Sequence, residues 1–157
     1  MIGIILGIIV LDRISKVLAV RFLQEASLAL WENVFHLTYI ENTGAAFSLF
    51  KGHTLALGIF SLIMVALLSY FLYKRKKEGG GLLEQTALAF IIGGAVGNLY
   101  DRLILGYVID YFDFRLINFA VFNVADSFIT VGAGLILLSI FLEEKKEKEK
   151  EKEKEGI

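Results

Sequence analysis

The chain has 157 residues, of which 56% are hydrophobic, and its formal net charge at pH 7 is -1. This length allows one domain, and the apolar content exceeds that of an ordinary soluble domain. The absence of cysteine excludes disulfides, cysteine-ligated zinc and thiol nucleophiles, and two histidines are too few for a typical histidine metal site. The near-zero net charge gives no support to binding of nucleic acid.

Apolar segments of the chain predict four membrane-spanning helices. They lie at about residues 1–20, 54–73, 82–100 and 123–142. Thr54–Tyr73 is an uncharged run of 20 residues, and at about 1.5 Å per residue it matches the hydrocarbon thickness of a bilayer. The first segment carries Asp12, Arg13 and Lys16, but it lacks the basic start and the small-residue cleavage site of a signal peptide. We therefore expect a membrane protein.

The basic residues set the expected orientation. Lys74–Lys77, all basic, form the loop after the second span, and such loops stay in the cytoplasm. An even number of spans then places both termini in the cytoplasm, with about residues 21–53 and 101–122 outside. The chain divides into a membrane domain, residues 1–142, and a cytoplasmic tail, Glu143–Ile157, that alternates Glu and Lys. We interpret the tail as a solvated helical extension or a disordered segment with no catalytic part.

The two outer segments carry strand patterns. Val34–Ile40 shows a period of two and ends at the turn-forming residues Asn42, Thr43 and Gly44. Tyr107–Phe114 is rich in aromatic and branched residues. We expect the two segments to pair into a small sheet on the outer face of the membrane, where aromatic residues are favoured.

Four acids lie inside or beside the predicted spans. They are Asp12, Asp101, Asp110 and Asp126. An acid at the bilayer centre costs about 2.5 to 3.5 kcal/mol, so each one marks a candidate functional site. Asp12 and Lys16 are four residues apart on one helical face, where they form either a structural ion pair or a substrate contact.

Asp110 and Asp126 are candidates for a catalytic pair. Asp126 follows Asn123 by three residues at the start of the fourth span, a spacing that also indicates a helix-capping box. Asp110 lies among aromatic and aliphatic residues, where partial desolvation raises the pKa of a carboxyl. Two acids that share one proton activate water in aspartic proteases. Spacing alone does not establish that these two acids meet.

The segment from Gly93 to Arg102 is the third group of polar and small residues. Gly93 and Gly97 form a G-x-x-x-G pair that permits close helix approach. Asn98 and Arg102 lie on one face at the outer end of the third span. Asn98 suits the backbone of an extended peptide, while Arg102 pairs with Asp101 or holds a lipid head group. A purely structural network around Arg102 is the alternative.

Five blocks of the sequence, taken in order, resemble the conserved boxes of bacterial lipoprotein signal peptidase, also called signal peptidase II. They are Asp12–Lys16, Asn42–Ser48, Gly93–Arg102, Val108–Tyr111 and Phe122–Ser127. The resemblance implies a mainly α-helical membrane protein, a four-helix bundle with a small extracytoplasmic β-sheet, in the bacterial cytoplasmic membrane. It implies an aspartic endopeptidase that cleaves prolipoproteins on the N-terminal side of a diacylglyceryl-modified cysteine.

The resemblance also implies roles for particular residues. The catalytic pair falls on Asp110 and Asp126, with a water held between them. Substrate-binding and supporting positions fall on Asp12, Lys16, Asn42, Gly44, Asn98, Arg102 and Asn123. We expect no metal and no cofactor, and as partners only prolipoprotein signal peptides and membrane lipids, without nucleic acid. We expect a monomer.

Other functions fit the sequence less well. A small transporter or channel subunit would use Asp12 and Asp126 to carry protons or ions, but it predicts internal repeats that the chain lacks. A presenilin-type protease would use Tyr100 and Asp101, yet no Gly-x-Gly-Asp motif follows. A purely structural membrane protein would not need paired acids beside an aromatic outer segment.

Overall fold

The computed structural model describes residues 1–44 and 50–155 and is mainly helical, with one small antiparallel sheet. The helices are α1 Ile2–Leu23, α2 Thr54–Lys77, α3 Leu82–Ile104 and α4 Val124–Glu155. The strands are β1 Leu28–Trp31, β2 Phe35–Asn42 and β3 Val108–Asp113, and a 3-10 turn covers Arg115–Ile117. Residues 45–48 of the Asn42–Ser48 block therefore lie outside the described residues.

Among the described residues, three helices are long and apolar enough to cross a membrane. They are α2, α3 and α4 up to Glu151, and they match the predicted second, third and fourth spans. The helix α1 has the length of a span but carries Asp12, Arg13, Lys16 and Arg21, and these charges lower its apolar content. The predicted total of four spans is therefore not confirmed.

The helix α3 is central to the bundle and packs against α1, α2 and α4. Its glycines allow this close approach, as the G-x-x-x-G spacing predicts. A Cβ added at Gly93 would lie 3.0 Å from the Cβ of Ile8, and one added at Gly97 would lie 2.5 Å from Oδ2 of Asp12. Small residues on α3 thus bring the polar face of α1 against it.

The three strands form a sheet in the order β1-β2-β3. The predicted pairing of the two outer segments is confirmed, since β2 and β3 are antiparallel with Ile40 opposite Asp110 and Asn42 opposite Val108. The edge strand β1 was not predicted, because all of its residues are exposed and its sequence, LALW, has no alternation of polar and apolar residues. The register of β2 and β3 places the end of β2 beside Asp110.

Two connections bring β3 to the C-terminal end of α3 and the N-terminal end of α4. Gly106 adopts a left-handed backbone with φ of 81°, which glycine tolerates without strain, and it turns the chain from α3 into β3. Within β3, the backbone N–H groups of Tyr111 and Phe112 donate to the carbonyl of Phe122 at 3.0 and 2.8 Å. This bridge sets the start of α4, and Asn123 with it, beside Asp110.

An apolar cluster fixes the sheet on α1. Ala19 and Leu23 of α1 pack against Ile109 and Tyr111 of β3, and all four are buried. Ile109 and Tyr111 flank Asp110 in the strand, so they point away from it. Burial of these apolar neighbours thus turns the Asp110 side chain toward α3 and α4.

Candidate active site

A cavity of about 440 Å³ lies between β3, the C-terminal end of α3 and the N-terminal end of α4. Its lining is divided into a polar and an apolar part. The apolar part includes Phe119, Val121, Phe122 and Ile129. The main polar residues are Asn42, Asn98, Arg102, Asp110 and Asp126. A cleft with a few convergent polar groups in an apolar wall is the usual form of a binding site.

Both carboxylate oxygens of Asp110 are held by amides. Oδ1 accepts a hydrogen bond from Nδ2 of Asn123 at 2.7 Å, and Oδ2 accepts one from Nδ2 of Asn42 at 2.9 Å. Burial and the negative charge of Asp126 together raise the pKa of Asp110 to about 7, against the opposite effect of the two amides. Asp110 thus titrates near neutral pH.

Asp126 takes part in the helix cap and lines the cavity at the same time. Its Oδ2 accepts from the backbone N–H of Asn123 at 3.2 Å, and its own N–H donates to Oδ1 of Asn123 at 2.9 Å. This reciprocal pair is the predicted capping box. Its Oδ1 accepts from Nδ2 of Asn98 at 2.7 Å. The capping geometry therefore holds Asp126 in a fixed position at the cavity.

Two asparagines link the two aspartates. Nδ2 of Asn123 lies within hydrogen-bond distance of Oδ1 of Asp110, Oδ1 of Asn98 and the carbonyl of Ile109, at 2.7, 3.1 and 3.2 Å. Asn98 in turn donates to Asp126. Asn98 and Asn123 are both buried. The carboxylates of β3 and α4 are thus joined by one continuous hydrogen-bond network.

A buried ion cluster lies behind this network. Nζ of Lys16 lies 2.9 Å from Oδ2 of Asp12 and 2.9 Å from Oδ2 of Asp101. Asp101 also accepts from Nη1 of Arg13 at 2.8 Å, and Oδ1 of Asp12 accepts from the backbone N–H of Ala125 at 3.0 Å. The cluster ties α1 to both α3 and α4. Its charges are paired, which a buried charge requires.

The structure brings most of the predicted site residues together. Gly44 is hydrogen-bonded to two of the cavity residues. Its N–H donates to Oδ1 of Asn42 at 2.9 Å, and its carbonyl accepts from Nη2 of Arg102 at 3.4 Å. Asp12 and Lys16 lie outside the described cavity lining, and they are buried. They form the ion pair that was one of the two predicted alternatives, and a substrate contact by either residue stays a prediction.

Two members of the ion cluster were missing from the predicted site. Asp101 was one of two partners considered for Arg102, the other being a lipid head group, whereas it pairs with Arg13 and Lys16. Arg13 was not assigned a role, although it lies in the Asp12–Lys16 block. The signal that could have identified Asp101 is its place on α3, three residues after Asn98 and therefore on the same face.

The sequence and the fold both have counterparts among known proteins. The family model described as signal peptidase (SPase) II matches residues 4–142 of the chain. The chain belongs to the signal peptidase II family. The lipoprotein signal peptidase of Gloeothece citriformis is 44% identical and aligns over 83% of this chain and 82% of its own length. That of Clostridioides difficile is 41% identical, with coverage of 91% and 95%.

Solved structures agree with this membership of the signal peptidase II family. A bacterial membrane enzyme determined by the in meso method at 2.3 Å has a TM-score of 0.81 and 26% identity, over 92% of this chain and 89% of that one. A second, at 1.9 Å, has a TM-score of 0.77 and 28% identity, with coverage of 88% and 90%. The predicted class, a membrane protease that removes signal peptides from prolipoproteins, is confirmed. An aspartic mechanism is consistent with the family.

Proposed function

We propose that Asp110 and Asp126 are the catalytic pair and that the protein cleaves a prolipoprotein on the N-terminal side of a diacylglyceryl-modified cysteine. One observation carries this proposal. The two carboxylates line one cavity, and Asn123 is hydrogen-bonded to both. An aspartic peptidase needs two acids held at a fixed separation with room for a water, and this arrangement supplies both requirements.

The mechanism assigns one proton to the pair. Asp110 keeps its proton, because burial and the charge of Asp126 raise its pKa to about 7. The ionised Asp126 takes a proton from the water, whose oxygen attacks the scissile carbonyl carbon. Asp110 donates a hydrogen bond to the developing oxyanion. The peptide C–N bond then breaks, and the proton from the water passes to the leaving amine of the lipidated cysteine.

Arg102 and Asn42 are placed to bind the backbone of the substrate. Both line the cavity beside the carboxylates. Arg102 Nε is buried and has no hydrogen-bond acceptor among the described residues. A peptide carbonyl that enters the cavity would provide one, and a guanidinium suits this contact because its donors lie in a fixed plane. We therefore assign Arg102 to holding the signal peptide in an extended form.

The helix α1 serves as a fourth span in this proposal. Its charged residues Asp12 and Lys16 face the bundle and are paired, so they add little to the cost of crossing the bilayer. Its opposite side exposes apolar side chains such as Val10, Ile14 and Val17, which suit contact with lipid. With the basic Lys74–Lys77 loop in the cytoplasm, both termini lie inside and the cavity lies at the outer face of the bacterial cytoplasmic membrane.

The position of the cavity at the outer face also supports a substrate that carries a lipid. The apolar part of the cavity lining, Phe119, Val121 and Ile129, lies beside the carboxylates and suits acyl chains. A diacylglyceryl-cysteine in the outer leaflet would bring its peptide bond to the depth of Asp126. We expect a monomer that needs no metal or cofactor, with signal peptides and membrane lipids as its partners and no role for nucleic acid.

The test is cleavage of a synthetic prolipoprotein peptide with and without diacylglycerol on its cysteine. Purified protein in detergent or lipid is incubated with each form, and the products are identified by mass spectrometry. We expect cleavage immediately before the lipidated cysteine only. Cleavage of both forms would remove the lipid requirement, and cleavage of neither by folded protein would overturn the proposal.

A matched control variant is Asp113→Asn. Asp113 lies on the same strand as Asp110, but it pairs with Arg115 at 2.8 Å and accepts from Thr38 at 2.9 Å, outside the cavity. Loss of this acid should leave cleavage close to the wild-type level. It therefore separates the general effect of removing a charge from the specific effect of removing a member of the catalytic pair.

A further inference from the structure

We propose that Lys16 is a positioning residue that fixes the amide of Asn98 and supplies the positive charge that keeps one member of the Asp110 and Asp126 pair ionised. This inference rests on the proposed function. Lys16 is fully buried and lies outside the described lining of the cavity. Its Nζ contacts Asp12, Asp101 and Asn98, each at 2.9 Å.

Lys16 determines which way the amide of Asn98 points. Oδ1 of Asn98 accepts from Nζ of Lys16 at 2.9 Å and from Nδ2 of Asn123 at 3.1 Å. If the amide turned over, its own NH₂ would face these donors, and Lys16 has no acceptor to offer. The NH₂ must therefore face Asp126, to which it donates at 2.7 Å. Loss of Lys16 removes one of the two donors that hold this orientation.

The charge of Lys16 also completes a balance around the cavity. The cations are Arg13, Lys16 and Arg102, and the acids are Asp12, Asp101, Asp110 and Asp126. The three cations match Asp12, Asp101 and one ionised member of the pair. The other member then remains protonated, which is the state that the mechanism requires. Without Lys16, the ionised member loses part of its compensating positive charge, and ionisation of the pair becomes less favourable.

Other titratable groups near the network do not alter this balance. On β2, Glu41 is exposed and accepts from the hydroxyl of Tyr39, and His36 lies opposite Asp113, at the other end of the strand pairing from Asp110. On β3, burial raises the pKa of Tyr111 to about 12, so its hydroxyl is uncharged. The charges that face the pair therefore come from α1, α3, β3 and α4.

The direct test compares Lys16→Met with Arg21→Met, a control that removes an exposed charge from the same helix. Cleavage of the diacylglyceryl peptide is measured as kcat and KM across pH. In Lys16→Met we expect the alkaline limb of the pH profile of kcat/KM to shift to higher pH by at least about half a unit. The reason is that the loss of a nearby cation raises the pKa of Asp110. We expect kcat to fall about tenfold or more, with little change in KM, since Lys16 positions the pair without touching substrate.

A folded Lys16→Met protein with the wild-type pH profile would overturn the inference. Arg21→Met should keep both the profile and kcat. If the wild-type protein itself cleaves nothing, the proposed function fails. If the wild type cleaves and Lys16→Met has an unchanged profile, only the positioning role fails, so the two failures are distinguishable.

A second variant keeps the test decisive if Lys16→Met does not fold. Lys16→Met combined with Asp12→Asn removes both charges of one ion pair and restores the balance. We expect this double variant to fold and to have an alkaline limb close to that of the wild type, while kcat stays low because Asn98 has lost its donor. Recovery of the wild-type kcat would exclude orientation of Asn98 by Lys16, and a limb far from that of the wild type would exclude the charge balance.

Discussion

The two ends of α3 hold similar ionic groups in opposite surroundings. At the C-terminal end, Asp101 is fully buried and pairs with Lys16, which is also fully buried. At the N-terminal end, Arg75 pairs with Glu84 at 2.5 Å and with Glu143 at 3.7 Å, where all three side chains contact solvent. Buried ion pairs gain little stability over apolar packing, and exposed pairs contribute little. The buried ion cluster therefore gives the bundle little that apolar packing would not, and we expect its role to lie in the candidate site beside it.

The largest expected effect is the loss of activity on changing either acid of the proposed catalytic pair. Asp110→Asn and Asp126→Asn each preserve the size of the side chain but remove the group that transfers the proton. We predict at least about a 10³-fold fall in kcat in each variant, with helical content and membrane insertion unchanged. Single-turnover cleavage measures this effect. Appreciable turnover in either purified variant would rule out the assignment.

The next largest effect is the loss of stability on removing an acid from the buried ion cluster. Asp12→Ala leaves Lys16 with one fewer counter-charge and leaves the N–H of Ala125 without its acceptor. We predict a fall of about 3 to 5 kcal/mol in the free energy of unfolding, because a buried charge is left uncompensated. Reversible unfolding in detergent measures it. Stability equal to that of the wild type would show that the cluster is not tightly coupled.

A smaller effect tests the contact between α3 and α1. In Gly97→Ala the new Cβ would lie 2.5 Å from Oδ2 of Asp12, so Asp12 must move. We predict destabilisation of about 1 to 3 kcal/mol from this overpacking. Gly134→Ala on α4 is the control, because nothing lies within 4 Å of its added Cβ. Equal stability of the two variants would contradict the close approach.

The smallest effect is expected at the N-terminal end of α3. Arg75→Ala removes both exposed ion pairs at this end. We predict a Tm and a cleavage rate close to those of the wild type, since solvent screens these charges. A thermal melt and the same peptide assay measure this. A large loss in either quantity would remove the contrast between the two ends of α3.

The sequence predicts the elements of this fold better than their contacts. The uncharged run Thr54–Tyr73 predicts α2, and the alternation over Val34–Ile40 predicts β2. Both signals are local. The short strand β1 is missed because its residues are all exposed and do not alternate. The length of the first apolar segment predicts a span at the position of α1. The charged residues of α1 make it less apolar than the three helices that are long and apolar enough to cross a membrane.

The sequence indicates the residues of the candidate site, but it does not indicate which of the distant residues contact each other. The cap that joins Asn123 to Asp126 spans three residues, so local spacing reveals it. Asp101 and Arg13 are 88 residues apart, and no local pattern indicates that they pair. The same holds for Lys16, whose bond to Asn98 spans 82 residues. Only the packing of α1 on α3 brings Lys16 to Asn98.

In the proposed mechanism Asp110 and Asp126 share one proton, and the pH dependence of kcat/KM of the wild-type enzyme is the sharpest test of this sharing. Burial and the charge of Asp126 raise the pKa of Asp110 to about 7. Asp110 carries its proton below this value and loses it above, so activity should fall as pH rises through about 7. Activity should also fall at acid pH, when Asp126 becomes protonated, which gives a bell-shaped profile. An activity that stays constant or rises as pH increases well beyond 7 would contradict the shared proton.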